Sequence, residues 1–188
     1  MSLLAFCEWL ASTNGSIALH ESLYMYPIVE STHVLALCLF VGLAVILDLR
    51  LLGLILRDAP VTDFVDHLLP WTIAGFAVMI VTGVLLFYAI PVRTYQSIFF
   101  RAKVLMLLGA GLNIWIFHSG IYRRVAEWNL LGRTPSPARR AALISLVLWA
   151  GVIVAGRMIA YNWFDCDLQP QPAIVNWAAG CIVPSPAP

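Results

Sequence analysis

Four apolar runs, each long enough to cross a lipid bilayer as a helix, constrain this chain more than any other feature. A helix needs about 20 apolar residues to span the ~30 Å hydrocarbon core. Only 11% of the residues are charged while 61% are hydrophobic, and such a surface cannot face water on all sides. The net charge of +1 leaves no basic field for nucleic acid. The sequence predicts an all-α integral membrane four-helix bundle over residues 27–163, with spans at 27–56, 68–90, 98–121 and 141–163.

The Lys and Arg residues are distributed unevenly between the two sides of the predicted membrane domain. Arg50 and Arg57 follow the first span, and the loop after the third span is richer still. Residues 1–26 and 164–188 contain neither Lys nor Arg. Because cationic loops are retained in the cytoplasm, we predict a bacterial inner-membrane protein with both termini outside. The arginines of the loop after the third span are Arg123, Arg124, Arg133, Arg139 and Arg140.

The two terminal segments are predicted to lie at the outer membrane face. Residues 1–26 contain short apolar stretches that favour interfacial helices, with Ser16 as a candidate N-cap. Residues 164–188 are rich in Pro and predict an irregular tail. Since thiols oxidise outside the cytoplasm, we expect a disulfide between Cys166 and Cys181.

Ionisable side chains within the apolar runs need partners, because each costs about 2.5–3.5 kcal/mol at the bilayer centre. Counting ~1.5 Å of rise per residue places His33, Lys103 and Arg157 at one level in the outer leaflet. Glu30 lies one turn from His33, and Tyr161 lies one turn from Arg157. One interpretation is an ion-pair network of Glu30, Lys103 and Arg157 that fixes helix register, with His33 hydrogen-bonded into it.

Haem b is the cofactor that matches the same layer. It is flat and apolar, it carries two carboxylates, and its iron favours imidazole. In this interpretation His33 ligates the iron, while Lys103, Arg157 and Arg101 meet the carboxylates. His20, in the outer segment, is a second axial ligand if that segment folds inward.

A second group of polar residues lies near the cytoplasmic end of the spans. Asp48 and Arg50 end the first span, His118 ends the third, and His67 precedes the second. Charges are normal at the headgroup boundary, so Asp48 and Arg50 are expected to lie there. An inner haem between His67 and His118, with His118 as an iron ligand, is the alternative.

Short motifs in the first and third spans resemble those of the CopD/HemJ-like four-span membrane proteins. The first span carries HVLA at 33–36, VG at 41–42 and DLRLL at 48–52. The third carries FRAKVL at 100–105 and then His118. The chain is also similar to uncharacterised bacterial membrane proteins that share a DLRLLG motif and segments of the LPWTIAGF and GRMIAY type.

This resemblance implies more than the residues do alone. HemJ-type proteins bind haem b and oxidise protoporphyrinogen IX, and their required His and Lys correspond to His33 and Lys103. CopD-type proteins are associated with copper uptake or resistance. His118 lies farther past Lys103 than the HemJ pattern leads us to expect. We therefore predict haem b binding and electron transfer with a quinone or a periplasmic partner. The alternatives are a copper transport component, an accessory membrane subunit without a cofactor, and a protoporphyrinogen-oxidase-like enzyme.

Overall fold

Four long helices dominate the computed structural model, which describes residues 2–56, 60–125, 134–161, 164 and 166–181. They are α3 (Met25–Leu52), α4 (Val61–Ala89), α6 (Ile98–Ile116) and α7 (Ser136–Ile159). A π-helical turn, Phe117–Ile121, lengthens α6. All four are long and apolar enough to cross a membrane. The predicted all-α membrane bundle is confirmed.

The ends of the long helices are set by local backbone chemistry. The first predicted span extends to residue 56, but α3 ends at Leu52 because Gly53 adopts a left-handed conformation with φ of 74°. The second predicted span begins at residue 68, yet α4 begins at Val61 and contains Pro70 in its interior. The earlier start follows from packing, since Val61 is buried in an apolar cluster with Leu51.

The helices are held together by an aromatic and aliphatic core. Helix α3 packs against α4 and α7, and α6 packs against α7. At the centre of the bundle, the Phe40 ring lies 4.9 Å from Trp149 and 5.2 Å from Phe76, measured between ring centroids. The buried core residues around these rings are Ala36, Val41, Met79, Ala110 and Val152.

One end of the bundle, here called the capped end, is covered by residues 2–24, 91–97, 164 and 166–181. Helix α1 (Leu3–Ala11) packs on α5 (Pro91–Gln96). The opposite end, called the loop end, carries the connections between α3 and α4 and between α6 and α7.

Helix α2 (Asn14–Glu21) is fixed to the end of α4 through Tyr88. The Ser16 hydroxyl donates to the Tyr88 carbonyl at 2.7 Å, and the Thr13 hydroxyl lies 2.8 Å from the Tyr88 hydroxyl. The expectation that Ser16 caps this helix is wrong. The N-cap is Thr13, whose side chain accepts from the Ser16 amide, and the Ser16 hydroxyl instead joins two helices.

The C-terminal segment is closed by the expected disulfide. Cys166 and Cys181 are bonded, with their Cα atoms 5.2 Å apart. Within this segment, predicted to be irregular, Ala173–Ala179 form a short helix, α8. It ends at Gly180, which is left-handed with φ of 70°. The bridge closes this segment on itself and encloses α8.

Replacement of the central core tryptophan tests this packing. Trp149 is 3% exposed, whereas Trp115 on α6 is 67% exposed. We expect Trp149→Ala to lower the free energy of unfolding by about 3–5 kcal/mol, because it leaves a cavity beside Phe40. Trp115→Ala is the matched control, with an expected change within about 0.5 kcal/mol. Unfolding titrations in mixed micelles measure both variants, and equal losses would contradict this core.

Candidate functional site

A histidine and a threonine on neighbouring helices form the centre of the candidate site, in the half of the bundle nearer the capped end. His33, on α3, is half-buried, and its Nδ1 atom lies 2.9 Å from the Thr82 Oγ1 atom on α4. The Thr82 hydroxyl donates its hydrogen to the Val78 carbonyl at 2.7 Å. Since that hydrogen is used, Oγ1 serves His33 as an acceptor, and Nδ1 carries the ring proton. The His33 ring also hydrogen-bonds the Met79 backbone. With the ring proton on Nδ1, the lone pair of the neutral ring is on Nε2.

The residue after Thr82 makes room for the imidazole. Gly83 faces the ring so closely that a Cβ atom there would stand 3.3 Å from the His33 Cε1 atom. Any larger side chain would push the ring away from Thr82. The Thr82-Gly83 pair therefore supplies both a hydrogen-bond acceptor and the space for the ring.

Lys103 brings a positive charge to the same region from α6. Its Nζ atom lies against Gly156 of α7, 3.7 Å from where a Cβ atom would stand. The Lys103 charge is close enough to act electrostatically on His33. The four long helices thus each contribute one member of the site: His33, Thr82-Gly83, Lys103 and Gly156. The electrostatic influence of Lys103 on His33 places the two side chains in one region of the bundle, and their joint role at a cofactor stays a prediction.

The other charged members of the predicted layer lie on the surface. Glu30 and Arg157 are both exposed. The Arg157 guanidinium stacks over the Tyr161 ring, 5.1 Å from its centroid. Among the residues that the structure describes, Glu30, Lys103 and Arg157 form no ion pair with one another. The alternative of an ion-pair network fixing helix register is therefore not observed in this part of the chain.

Arg101 is engaged in holding the C-terminal segment. Its Nη1 and Nη2 atoms donate to the carbonyls of Ala178 and Ala179, the latter at 2.9 Å, and Nε donates to the Tyr95 carbonyl at 3.2 Å. The guanidinium also lies over the Tyr95 ring at 5.0 Å. These contacts place a cation at the carbonyl end of α8, where helix and charge attract each other. Its predicted contact with a haem carboxylate stays a prediction.

The remaining histidines lie away from the interior of the bundle. His20 is exposed on α2, with its ring edge-on to Tyr26 at 6.3 Å. His67 and His118 are exposed at the loop end, and in each the Nδ1 atom contacts the carbonyl four residues earlier, at 2.7 and 3.1 Å. The roles predicted for His20 and His118 as iron ligands stay predictions.

Asp48 and Arg50 differ from their expected position at the headgroup boundary. They are only 6% and 8% exposed, so both are covered by protein rather than by lipid headgroups. Ser145 of α7 hydrogen-bonds the Asp48 carboxyl. The packing of α3 against α7 buries Asp48 and Arg50. Their position in the sequence, near the end of an apolar run, does not reveal this burial.

The arrangement around His33 suits a ligand with a metal and anionic groups. A neutral imidazole with its proton fixed on Nδ1 can give Nε2 to a metal. A half-buried ammonium without an ion-pair partner in the described parts of the chain can bind a carboxylate. No cluster of three or more His, Cys, Asp or Glu side chains that would hold a bare metal ion occurs among the described residues.

The family comparison covers almost all of the bundle. The model of a family of unknown function, DUF6644, matches residues 6–162. The chain belongs to this family. The comparisons with curated proteins and with solved structures found no match. The DUF6644 match spans all four long helices and includes His33, Thr82 and Lys103, while the resemblance to CopD/HemJ-like proteins stays a prediction.

Thr82 is the site residue that sequence reasoning missed. Threonine and glycine inside an apolar helix are usually explained by close helix packing, and Thr82 and Gly83 carry no charge to attract notice. The sequence signal that could have identified Thr82 is its distance from the end of α4. Counted from Pro91, Thr82 lies at nearly the same depth as His33 counted from Met25.

Substitution of Thr82 tests the assigned proton position on His33. Thr82→Val removes the hydroxyl acceptor and leaves the Met79 backbone as the described partner of the ring, so we expect the preference of Nδ1 for the proton to weaken. Nitrogen chemical shifts of ¹⁵N-histidine-labelled protein measure this directly. Thr82→Ser should keep the native tautomer, because its hydroxyl remains.

Thr72→Val is the matched control for that experiment. Thr72 also lies on α4, and its hydroxyl donates to the Leu68 carbonyl at 2.8 Å. Its loss should leave the His33 signals unchanged. Identical spectra for Thr82→Val and the native protein would contradict the hydrogen bond.

Replacement of Arg101 tests its role as the anchor of α8. In Arg101→Met the carbonyls of Ala178 and Ala179 lose a charged donor, an interaction of about 1.5–3 kcal/mol. We expect amide hydrogen exchange within α8 to rise roughly tenfold or more, while exchange in α3 stays native. Arg139→Met, at an exposed position on α7, is the control and should change neither. Unchanged exchange in α8 would contradict this role of Arg101.

Proposed function

We propose that this membrane protein binds haem b at His33 and takes part in electron transfer. The observation that carries the proposal is the His33–Thr82 hydrogen bond, 2.9 Å long, inside a bundle of apolar helices. It fixes the imidazole in the orientation and protonation state that an iron ligand requires. When bound, haem b supplies one-electron chemistry.

The residues around His33 would hold the two ends of such a cofactor differently. Nε2 of His33 is the ligand atom, and Gly83 leaves room for the imidazole ring against α4. Lys103 supplies a positive charge for a carboxylate. Among the described residues it has no ion-pair partner that the carboxylate would have to displace. Arg157, exposed one helical turn from Tyr161, is a second cation on the same side. The aromatic core below, centred on Phe40 and Trp149, excludes water from the interior.

The charge distribution supports a location and an orientation. Arg50, Arg139 and Arg140 belong to the loop end, and Arg123 lies just beyond α6. By the positive-inside rule, this end faces the cytoplasm of a bacterial inner membrane, and the capped end with both termini faces outward. The His33 site then lies in the outer half of the membrane. A quinone or a periplasmic protein is the electron-transfer partner that reaches this side.

Absorption spectroscopy tests the proposal. Protein purified in detergent from cells supplied with haem precursors should show a Soret band. We expect His33→Ala to lose the band and Lys103→Met to weaken haem retention about tenfold, corresponding to roughly 1.4 kcal/mol. His118→Ala should keep the band, because His118 is exposed at the loop end.

Two further outcomes decide against the proposal. The native protein remaining colourless after reconstitution with excess haem would exclude haem binding. A Soret band of equal strength in the native protein and in His33→Ala would exclude His33 as the ligand. His67→Ala serves as a second control, since His67 is also an exposed histidine at the loop end.

A further inference from the structure

A buried carboxyl group at the loop end has no role in the proposed haem site. Asp48 lies in the last turns of α3 and is 6% exposed. Its Oδ2 atom has no hydrogen-bond partner among the residues that the structure describes. The polar side chain that faces the carboxyl group from α7 is Ser145, which is 8% exposed and hydrogen-bonds it.

The surroundings of Asp48 are apolar and closely packed. Leu51, one turn farther along α3, is 2% exposed, and Ala142 of α7 is 1% exposed. Both belong to the apolar cluster that closes the loop end of the bundle. An ionised carboxylate in such a place is costly unless a cation or several donors offset its desolvation.

The charged groups on the neighbouring helices do not supply that cation. They are all exposed, whereas Asp48 is buried, and the carboxyl forms no ion pair with any cation in the described ranges. Arg50, on the same helix, is buried and has an interaction of its own. Tyr122, after α6, is half-buried and neutral. The exposed groups at this end are Asp63, Asp66 and His67 on α4, His118 and Arg123 after α6, and Arg139 and Arg140 on α7.

We propose that the Asp48 carboxyl group is a proton-binding site within the membrane domain, open to exchange with water at the loop end. The proton binds to the unpartnered Oδ2 atom, while Ser145 holds the other side of the carboxyl group. In the exchange, hydronium gives its proton to the carboxylate and leaves as water, so charge and atoms balance. The site does not depend on haem binding at His33.

The number of available oxygen atoms favours a proton over a metal cation. Cations such as Ca²⁺ take six to eight oxygen ligands, and the described side chains supply only the two oxygens of Asp48 and the hydroxyl of Ser145. The nearby Ala141 carbonyl already accepts a hydrogen bond from Asn113 at 3.0 Å. A proton needs one lone pair, and Oδ2 has it.

The thermal stability of the purified full-length protein tests the proposal over the range of about pH 5 to 9, where buried carboxyl groups titrate. Loss of the proton leaves an unpaired charge in the native interior, so the native Tm should fall as the pH rises, by roughly 5–10 °C. Asp48→Asn mimics the protonated group in shape and charge, and its Tm should not show this fall. Asp63→Asn is the matched control, because Asp63 is exposed. Its Tm should fall as in the native protein.

Each other result overturns the proposal. Parallel Tm curves for the native protein and Asp48→Asn would show that Asp48 takes up no proton in this range. A second series measures the Tm at pH 9 in sodium, potassium or choline chloride. If sodium or potassium chloride raises the Tm of the native protein but not that of Asp48→Asn, and choline chloride raises neither, the site binds a monovalent cation. If Asp48→Asn fails to fold, infrared spectra of native protein labelled with ¹³C-aspartate at its side chain decide. A labelled band from a protonated carboxyl group at neutral pH is expected, and its absence contradicts the site.

Discussion

The bilayer contains no water to satisfy polar groups, and this constraint governs the rest of the structure. A helix makes its backbone hydrogen bonds within the same segment, so the four long helices are connected through side chains. Apolar contacts around Phe40 and Trp149 provide most of that connection. The interior contains few polar side chains, and each can be explained by the partner that a second helix provides or does not provide.

The two polar sites differ in how they meet this constraint. His33 and Thr82 satisfy each other between α3 and α4, and the remaining hydrogen goes to a backbone carbonyl. Asp48 has Ser145 on one side and an oxygen without a described partner on the other. The first arrangement fixes one orientation of a ring and leaves a single lone pair at Nε2. The second leaves a lone pair that only a proton or another positive species can stabilise.

The fold was predictable from the sequence because long apolar runs and charged boundaries are local signals. The similar depth of His33 and Lys103 was also predictable, since depth along a helix follows from counting residues. The rotation of each helix about its own axis was not predictable from the sequence. Whether Arg157 faces Lys103 or Tyr161, and whether Asp48 faces headgroups or α7, depends on how neighbouring helices pack. Thr82 escaped notice for the same reason, because a hydroxyl without charge becomes a site residue only through the ring that faces it.

Helix α3 connects the two sites, and its geometry limits how they can act on each other. His33 and Asp48 are about four turns apart on similar faces of α3, with the core ring of Phe40 between them. The described residues of that core are apolar, so they offer no chain of hydroxyl or carboxyl groups from one level to the other. A redox group at the capped end and a proton at the loop end would therefore exchange with opposite sides of the membrane. Coupling between them, if both sites act together, must be electrostatic through the low-dielectric interior, where charges interact far more strongly than in water.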